Sequence, residues 1–479
     1  MRNRRVYVVW MVVVLMSGSF QLNAQTLPRE KDDTTKVNRY EFSISQAVDY
    51  AKKNNVQVKN ALLDITLQRQ VNSEITASAY PHLNGSASTT YNPNIATQVI
   101  PNFISPSTYQ VLIDEGVKDG NGNPIMMPTD FGFIPAQFGT KYGATVGLSF
   151  TQLLFDGQVF VGLQARETSL KWRSKFYEVT EETIKANIHK VYYQLVVSKA
   201  QIELLDANID RLNKLLKDTK IIYDNGFAEK LDVDKVSVQV ANLQTEKNKI
   251  LNQVSNGYLG LKLLMGMPWK DELILTDTIS DAIIKDGMLE NDVYSYGDRK
   301  DYQYAQLGLK LNEFNIRRYK LSLLPTISLS GNYAKNAQRN KWDFLGRGDW
   351  FTISSISAAI QIPIFNGFAT RSKIQQTQTE AQKTRNQIEA LKQTIDNEVI
   401  TARKNFLTAI ETLDFQKKNM ALAETVYQQT KKKYEVGTGS QLEITASQTE
   451  LKTAQTNYVS ALYDAVIAKV DYLKAIGKL

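Results

Sequence analysis

Between Gly157 and about residue 224, apolar residues recur at Ile184, Ile188, Val191, Leu195, Ile202, Leu205, Ile209, Leu212 and Leu216. The spacings are three, four or seven, which is the seam of a coiled coil. No Pro and only one early Gly, Gly162, interrupts the segment. Some 65 residues at ~1.5 Å each predict a rod of roughly 100 Å. A globular core cannot hold it. Ile388, Leu391, Ile395, Ala402, Phe406, Ala409 and Leu413 repeat the stripe within a second helix, about 367–435. Each rod turns at a Gly and returns. The first return, about 231–266, carries Val233, Val236, Val240, Leu243, Ile250, Val254 and Leu261. The second, about 441–476, carries Leu451, Ala454, Tyr458, Ala461, Ala465 and Ala468. The opposite faces are rich in Gln, Asn, Thr and Lys. They line solvent or a lumen, or they coat a solvated stalk.

Four shorter segments alternate with period two and predict strands at about 82–91, 142–153, 326–335 and 352–362. Leu83, Gly85, Ala87, Thr89 and Tyr91 share one face of the first, and Tyr142, Ala144, Val146, Leu148 and Phe150 one face of the second. Ile327, Leu329 and Tyr333 follow in the third, then Ile356, Ala358, Ile360 and Ile362 in the fourth. The other faces hold small polar residues. About ten residues with one apolar face is the pattern of a strand set between lipid and water. The lipid side would be Val146, Leu148, Phe150, Ile327, Leu329, Ile356, Ile360 and Ile362. An amphipathic sheet on a soluble core gives the same alternation.

The two halves repeat. Leu153–Gln158 (LLFDGQ) matches Pro363–Phe368 (PIFNGF) at an offset of 210. Tyr223–Gly226 matches Tyr434–Gly437, and Leu263–Gly266 matches Lys474–Gly477, both at 211. Landmarks in one order at a nearly constant offset mark a duplication. Each half reads helix, strand, loop, strand, long helix, turn, helix.

Residues 1–24 read as a secretory signal. Arg2, Arg4 and Arg5 precede an apolar run from Val6 to Met16, too short to span a bilayer, and cleavage follows Ala24. No later stretch approaches a membrane-spanning helix, so entry into a membrane requires a β-barrel. Four strands cannot close one; familiar barrels start at eight. Two copies would give eight strands and a filled lumen, three would give twelve and a passage. Sterics alone leave both open.

Composition excludes much chemistry. There is no Cys, so no disulfide, thiolate metal site or thiol nucleophile. His82 and His189 are the only histidines, too few for a triad or zinc site. The first reads as a lumen-side strand residue and the second as a surface or seam residue. The formal charge of +8 falls to about +5 without the leader, too little to argue for nucleic acid. The Gly-rich stretches 116–122 and 437–439 lack the spacing and Lys of a phosphate loop. An enzyme is not expected, nor a cofactor or metal.

Taken together, these landmarks resemble the TolC-type outer-membrane efflux protein family over nearly the whole mature chain. They are the duplicated half and the F-x-G opening each long helix (Phe155-Asp156-Gly157, Phe365-Asn366-Gly367). The Y-x-x-G turns add to them: Tyr223-Asp224-Asn225-Gly226-Phe227 and Tyr434-Glu435-Val436-Gly437-Thr438. Arg299-Lys300-Asp301 resembles the family's R-P-D-L, with Lys for Pro. The resemblance implies a mainly α fold with a small β contribution: a homotrimer forming a twelve-stranded barrel on a periplasmic helical tunnel. It divides the chain into a signal (1–24), a linker (25–42), a first repeat (43–270), an equatorial segment (271–298) and a second repeat (299–479). It implies a passive exit duct for a tripartite efflux or type I secretion system. The partners would be a periplasmic adaptor, an inner-membrane pump and outer-membrane lipid. Gly226, Phe227, Val436, Gly437 and Thr438 would form the adaptor-docking tips. Asp232, Tyr434 and Glu443 would form the periplasmic gate, with Gly439 where a basic residue often stands. The competing reading is an exported coiled-coil structural or adhesive oligomer without transport.

One segment departs from the family. Residues 92–140 join the first two strands and hold Pro93, Pro101, Pro106, Pro124, Pro128 and Pro135. The matching segment, about 335–349, is far shorter. The long one reads as a variable surface loop or a partial lid over the pore mouth.

Overall fold

The computed structural model describes residues 37–279, 284, 294–346 and 348–479. The signal-peptide reading of 1–24 lies outside them. Two features tie down the start. Ser43 closes a capping box with Gln46 and opens α1 (Ile44–Asn54). Asn55 then ends α1 and caps α2 (Val56–Ala77), its Oδ1 accepting from Gln57 and Val58. The residues read as a linker are partly structured: β1 (Arg39–Phe42) pairs in parallel with β6 (Glu272–Leu275).

A four-stranded antiparallel sheet follows the order β2-β5-β7-β8. Its strands are β2 (His82–Tyr91), β5 (Tyr142–Phe155), β7 (Thr326–Arg339) and β8 (Phe351–Gln361). β7 runs to Arg339, past the 335 expected, which shortens the following loop. The segment 92–140 is not an irregular loop. It contains β3 (Thr97–Pro101), α3 (Ile104–Asp114) and β4 (Phe133–Gln137), with β3 and β4 paired antiparallel.

Six longer helices complete the described chain: α2, α4 (Gly157–Asp224), α5 (Lys230–Met265), α6 (Lys300–Leu321), α7 (Ala369–Glu435) and α8 (Gln441–Ala475). Next to the sheet the packing order is α2-α4-α6-α7, the order of the strands they adjoin. Farther away the order becomes α5-α4-α8-α7. The apolar stripes face inward. Leu205, Ile209 and Leu212 of α4, Val236 and Val240 of α5, Tyr427 of α7 and Ile444 and Leu451 of α8 share one core.

The duplication is visible in the helix ends. Phe227 N–H donates to the Ile222 carbonyl, and Thr438 N–H to that of Lys433. At the opposite ends Met267 N–H reaches Lys262, and Lys478 N–H reaches Leu473. Each is the long bond of a Schellman cap. Gly226, Gly437, Gly266 and Gly477 supply the left-handed residue in each. The F-x-G openings do different work in the two halves. Asp156 caps α4 through its carboxylate, whereas Gly367 and Phe368 both take positive φ to enter α7.

Candidate functional site

The register settles which residues share a face of the sheet. Leu83 lies opposite Phe150 and Ala87 opposite Val146. Phe150 lies opposite Gly331, which lies opposite Ile356; Leu148 lies opposite Tyr333, and Ile327 opposite Ile360. Directly paired residues project to the same side. All of the apolar residues proposed to face lipid therefore fall on one face, with Ile362 just beyond the end of β8. Asn84, Ser86, Ser88, Thr145, Ser149, Ser330, Asn332, Ser355 and Ser357 fall on the other. Some residues depart from this division. Lys335, Thr352 and Ser354 sit on the apolar face, in line with Val146 and Tyr333. Phe351 and Ile353 sit on the polar face, opposite Asn336 and Ala334.

Aromatic residues collect at both ends of the apolar face. Tyr91 stacks on Tyr142 at one end. Beside them Phe344 covers Ala144 and Ala337, packed with Trp350. Arg339 lies over the Phe344 ring and bonds Asp343. At the helical end Phe155 meets Phe160, and Phe365 meets Phe368. Such girdles flank the apolar band of outer-membrane strands. Among the described residues no helix is long and apolar enough to cross a membrane.

The sheet and the helical layer both end at open edges. β2 and β8 each have one unpaired side. Exposed apolar side chains lie on the outermost helices, such as Leu63 and Leu67 of α2, Val238 and Leu263 of α5, Phe415 and Leu422 of α7, and also on α4, at Phe160 and Ile221. The inner helix α6 exposes no large apolar residue.

At the far end of the rods stand the two turns. Phe227 is 86% exposed, and Val436, Gly437 and Thr438 are exposed too. A β-carbon at Gly439 would lie 2.9 Å from the Tyr434 nitrogen, against the backbone of Lys433. This turn has no room for the basic residue often found there. Of the three gate residues, Glu443 sits in the first turn of α8, its N–H held by Ser440 Oγ. The Tyr434 ring packs on the shared helical core. Asp232 faces Lys235 at 3.7 Å. Among the described residues no hydrogen bond joins Asp232 to Tyr434 within one chain.

Sequence reasoning noted Arg299 but not its work. Its guanidinium is buried and grips Asp301 with two bonds, 2.7 and 3.0 Å. It also donates to Glu398 at 2.9 Å and to the Ala475 carbonyl at 3.1 Å. One side chain thus ties the start of α6 to α7 and the end of α8. Burial would push the Asp301 carboxyl up, but the Arg299 bonds and charge hold it below its ordinary range. Glu182, in the same groove, is pushed up by burial. His189 is half-buried and turned back onto the Lys185 carbonyl. Among the described residues no group of His, Asp or Glu could hold a metal ion.

A family model described as outer membrane efflux protein matches residues 47–267 and 297–478. The chain belongs to the outer membrane efflux protein family. It is similar to the outer membrane protein TolC of Vibrio cholerae, 20% identical over 346 residues, covering 70% of this chain and 77% of that one. It is similar to the toluene efflux pump outer membrane protein TtgC of Pseudomonas putida, 24% identical, covering 71% and 69%. Among solved structures, the CmeC outer membrane channel of Campylobacter jejuni matches with a TM-score of 0.70 at 16% identity, covering 91% of this chain and 85% of that one. VceC of Vibrio cholerae matches with 0.68 at 16% identity, covering 91% and 96%. Membership of the outer membrane efflux protein family places this chain in the outer membrane as a transport protein, and not an enzyme.

Proposed function

We propose that three copies close into a duct that carries substrate from an inner-membrane pump and periplasmic adaptor to the outside. The observation that carries this is the matched order of strands and helices. β2-β5-β7-β8 and α2-α4-α6-α7 run side by side and end at the same two edges. Open strand edges in lipid cost several kcal/mol per unpaired backbone group, so the edges must meet those of other copies. Three copies give twelve strands and leave a passage, which an efflux protein needs; two would give a filled barrel. The apolar face then meets lipid and the polar face the lumen.

In this reading the two tips, about 100 Å from the sheet by helix length, are the surface a periplasmic adaptor reaches. Phe227 and Val436 supply its apolar contacts. Asp232, Tyr434 and Glu443 border the narrow end. The pump is of the tripartite efflux or type I secretion kind. The test is complementation of a strain lacking this gene. The wild-type chain should restore export and run as a heat-modifiable oligomer from the outer membrane. Phe227→Asp with Val436→Asp should keep the oligomer and lose export. Full export by that double variant would overturn the docking role, and a monomer in the membrane would overturn the duct.

A further inference from the structure

The segment between β2 and β5 is a folded insert with a bare apolar face. None of residues 92–141 is buried, although β3, α3 and β4 are all formed. The hairpin register puts Val99, Pro101, Phe133 and Pro135 on one face and Ile100, Ile134 and Ala136 on the other. The second face is half-buried. The first is uncovered, with Val99 at 68% and Phe133 at 70% exposure. Pro101 and Pro135 carry no N–H, so the hairpin is ill suited to extend another sheet by its edge. What it offers is a face.

A second bare patch lies at the start of β8, which the three-copy ring would set inside the mouth. Phe351 (63% exposed) and Ile353 (49%) stand at the outer end of β8, on the side otherwise lined by small polar residues. Water-facing Phe and Ile beside a ring of Ser and Asn are costly unless something covers them. The two patches belong to opposite edges of one sheet. The insert leaves the outer end of β2 at Tyr91, and the patch begins β8. In a closed ring, β2 of one copy runs beside β8 of the next, and these outer ends meet. Twelve strands at ~4.8 Å, tilted by about 40°, give a ring of roughly 12 Å radius. A hairpin of five-residue strands is about 17 Å long, so an insert rooted on the rim reaches the axis.

We infer that each insert folds inward and seats its Val99–Phe133 face on Phe351 and Ile353 of the adjacent copy, so that three inserts roof the pore mouth. This rests on the three-copy ring proposed above. The occupant of the face is a second copy of this chain, because the joint that closes the ring brings insert and patch to one place on the rim. The roof narrows the exit and screens the lumen from bulky solutes outside.

The chain has no cysteine, so introduced pairs report without background. Full-length protein carrying Val99→Cys and Ile353→Cys, oxidised in outer-membrane vesicles, should give cross-linked dimers and trimers on non-reducing gels, and neither single variant should. Independently, replacing residues 93–140 by a short turn, or changing Phe351 and Ile353 to Asn with the insert intact, should raise single-channel conductance roughly two-fold or more. A heat-modifiable oligomer with no pair-dependent cross-link and unchanged conductance overturns the roof but leaves the ring. Cross-linking of Val99→Cys to a different outer-membrane protein overturns the choice of occupant. Failure of the wild-type chain to form the oligomer overturns the ring and the roof together.

Discussion

Asn208 of α4 donates its amide to Gln455 of α8 at 2.7 Å, and both side chains are at least 95% buried. Around them the helices present Leu205, Ile209 and Leu451. Asn208 also donates to the Leu204 carbonyl and accepts from Arg211. A slide of either helix by one turn would leave two buried amides facing leucines. A single polar pair in an apolar seam fixes register at some cost in stability, and this one fixes how the first repeat sits against the second.

Gln455→Leu should therefore destabilise by about 1–3 kcal/mol, because the Asn208 N–H is left without its partner. Asn208→Leu should cost a similar amount. The double Leu variant should recover most of the loss. A double-mutant cycle from denaturant unfolding in detergent measures the coupling. Additive costs would show that the pair does not act as a unit.

Leu148→Lys and Ile360→Lys should each cost on the order of 2–4 kcal/mol if these side chains meet lipid at mid-depth, and Asp at the same places somewhat less. Ser86→Asp, on the other face, should be tolerated. The readout is the yield of heat-modifiable oligomer in the outer membrane. Equal yields for Leu148→Lys and Ser86→Asp would reverse the assignment of faces.

At the tips, structure and contact separate cleanly. Gly226→Ala and Gly437→Ala force a β-carbon onto φ of +83° and +78° and should each cost about 1 kcal/mol. Gly439→Arg should loosen the turn further, seen as faster amide exchange at residues 436–440. Phe227→Ala removes a side chain that packs on little, so unfolding should shift by less than about 0.5 kcal/mol while export falls. An export-competent Phe227→Ala protein would argue that the tip is geometry alone.

Acid should act on the groove around Arg299 in two opposite ways. Asp301 has its carboxyl pulled down on folding, so its contribution is complete above about pH 4 and is lost as pH falls through the lowered value. Glu182 is pushed up by burial, so the folded state binds its proton more readily, and stability falls as pH rises from about 4.3 through the raised value. Asp301→Asn should lower the melting temperature at neutral pH and flatten the loss below pH ~4. Glu182→Gln should flatten the descent above it. Melting curves of detergent-solubilised protein between these limits check both signs.

Three Glu443 carboxylates around one axis would favour cations in the narrow end of the duct. Glu443→Gln should lower cation-over-anion selectivity in planar bilayers without changing oligomer yield. Unchanged reversal potentials would confine Glu443 to its place in the first turn of α8, where an acid is favoured in any case.

The long helices were legible because a seam announces itself by spacing. Of the stripe read for α4, Ile184, Ile188, Leu195, Leu205, Ile209 and Leu212 are buried, while Val191, Ile202 and Leu216 are half-buried beside them. Alternation likewise sorted the strand faces, since direct pairing keeps period two aligned across the sheet. What escaped reading was non-local or short. β1 and β6 have four residues each and lie some 230 residues apart, so neither carries a pattern of its own. The insert hid behind six prolines, which mark turns more strongly than β3 and β4 mark strands. Arg299 was legible as a motif, but its hold on Glu398 and Ala475 depends on where α7 and α8 pass. Phe351 and Ile353 were missed because three alternating isoleucines, Ile356, Ile360 and Ile362, defined the other face of β8 first.

The two unpaired edges of the sheet carry a genetic consequence. In a ring of three, each chain is a third of the wall, and a chain blocked at one edge still offers the other. A variant with proline placed in the middle of β8 would join a neighbour through β2 and then stop the ring from closing. Expressed equally beside the intact gene, it would leave about one ring in eight wholly intact. Such an allele should act dominantly, whereas deletion of one of two gene copies should pass unnoticed.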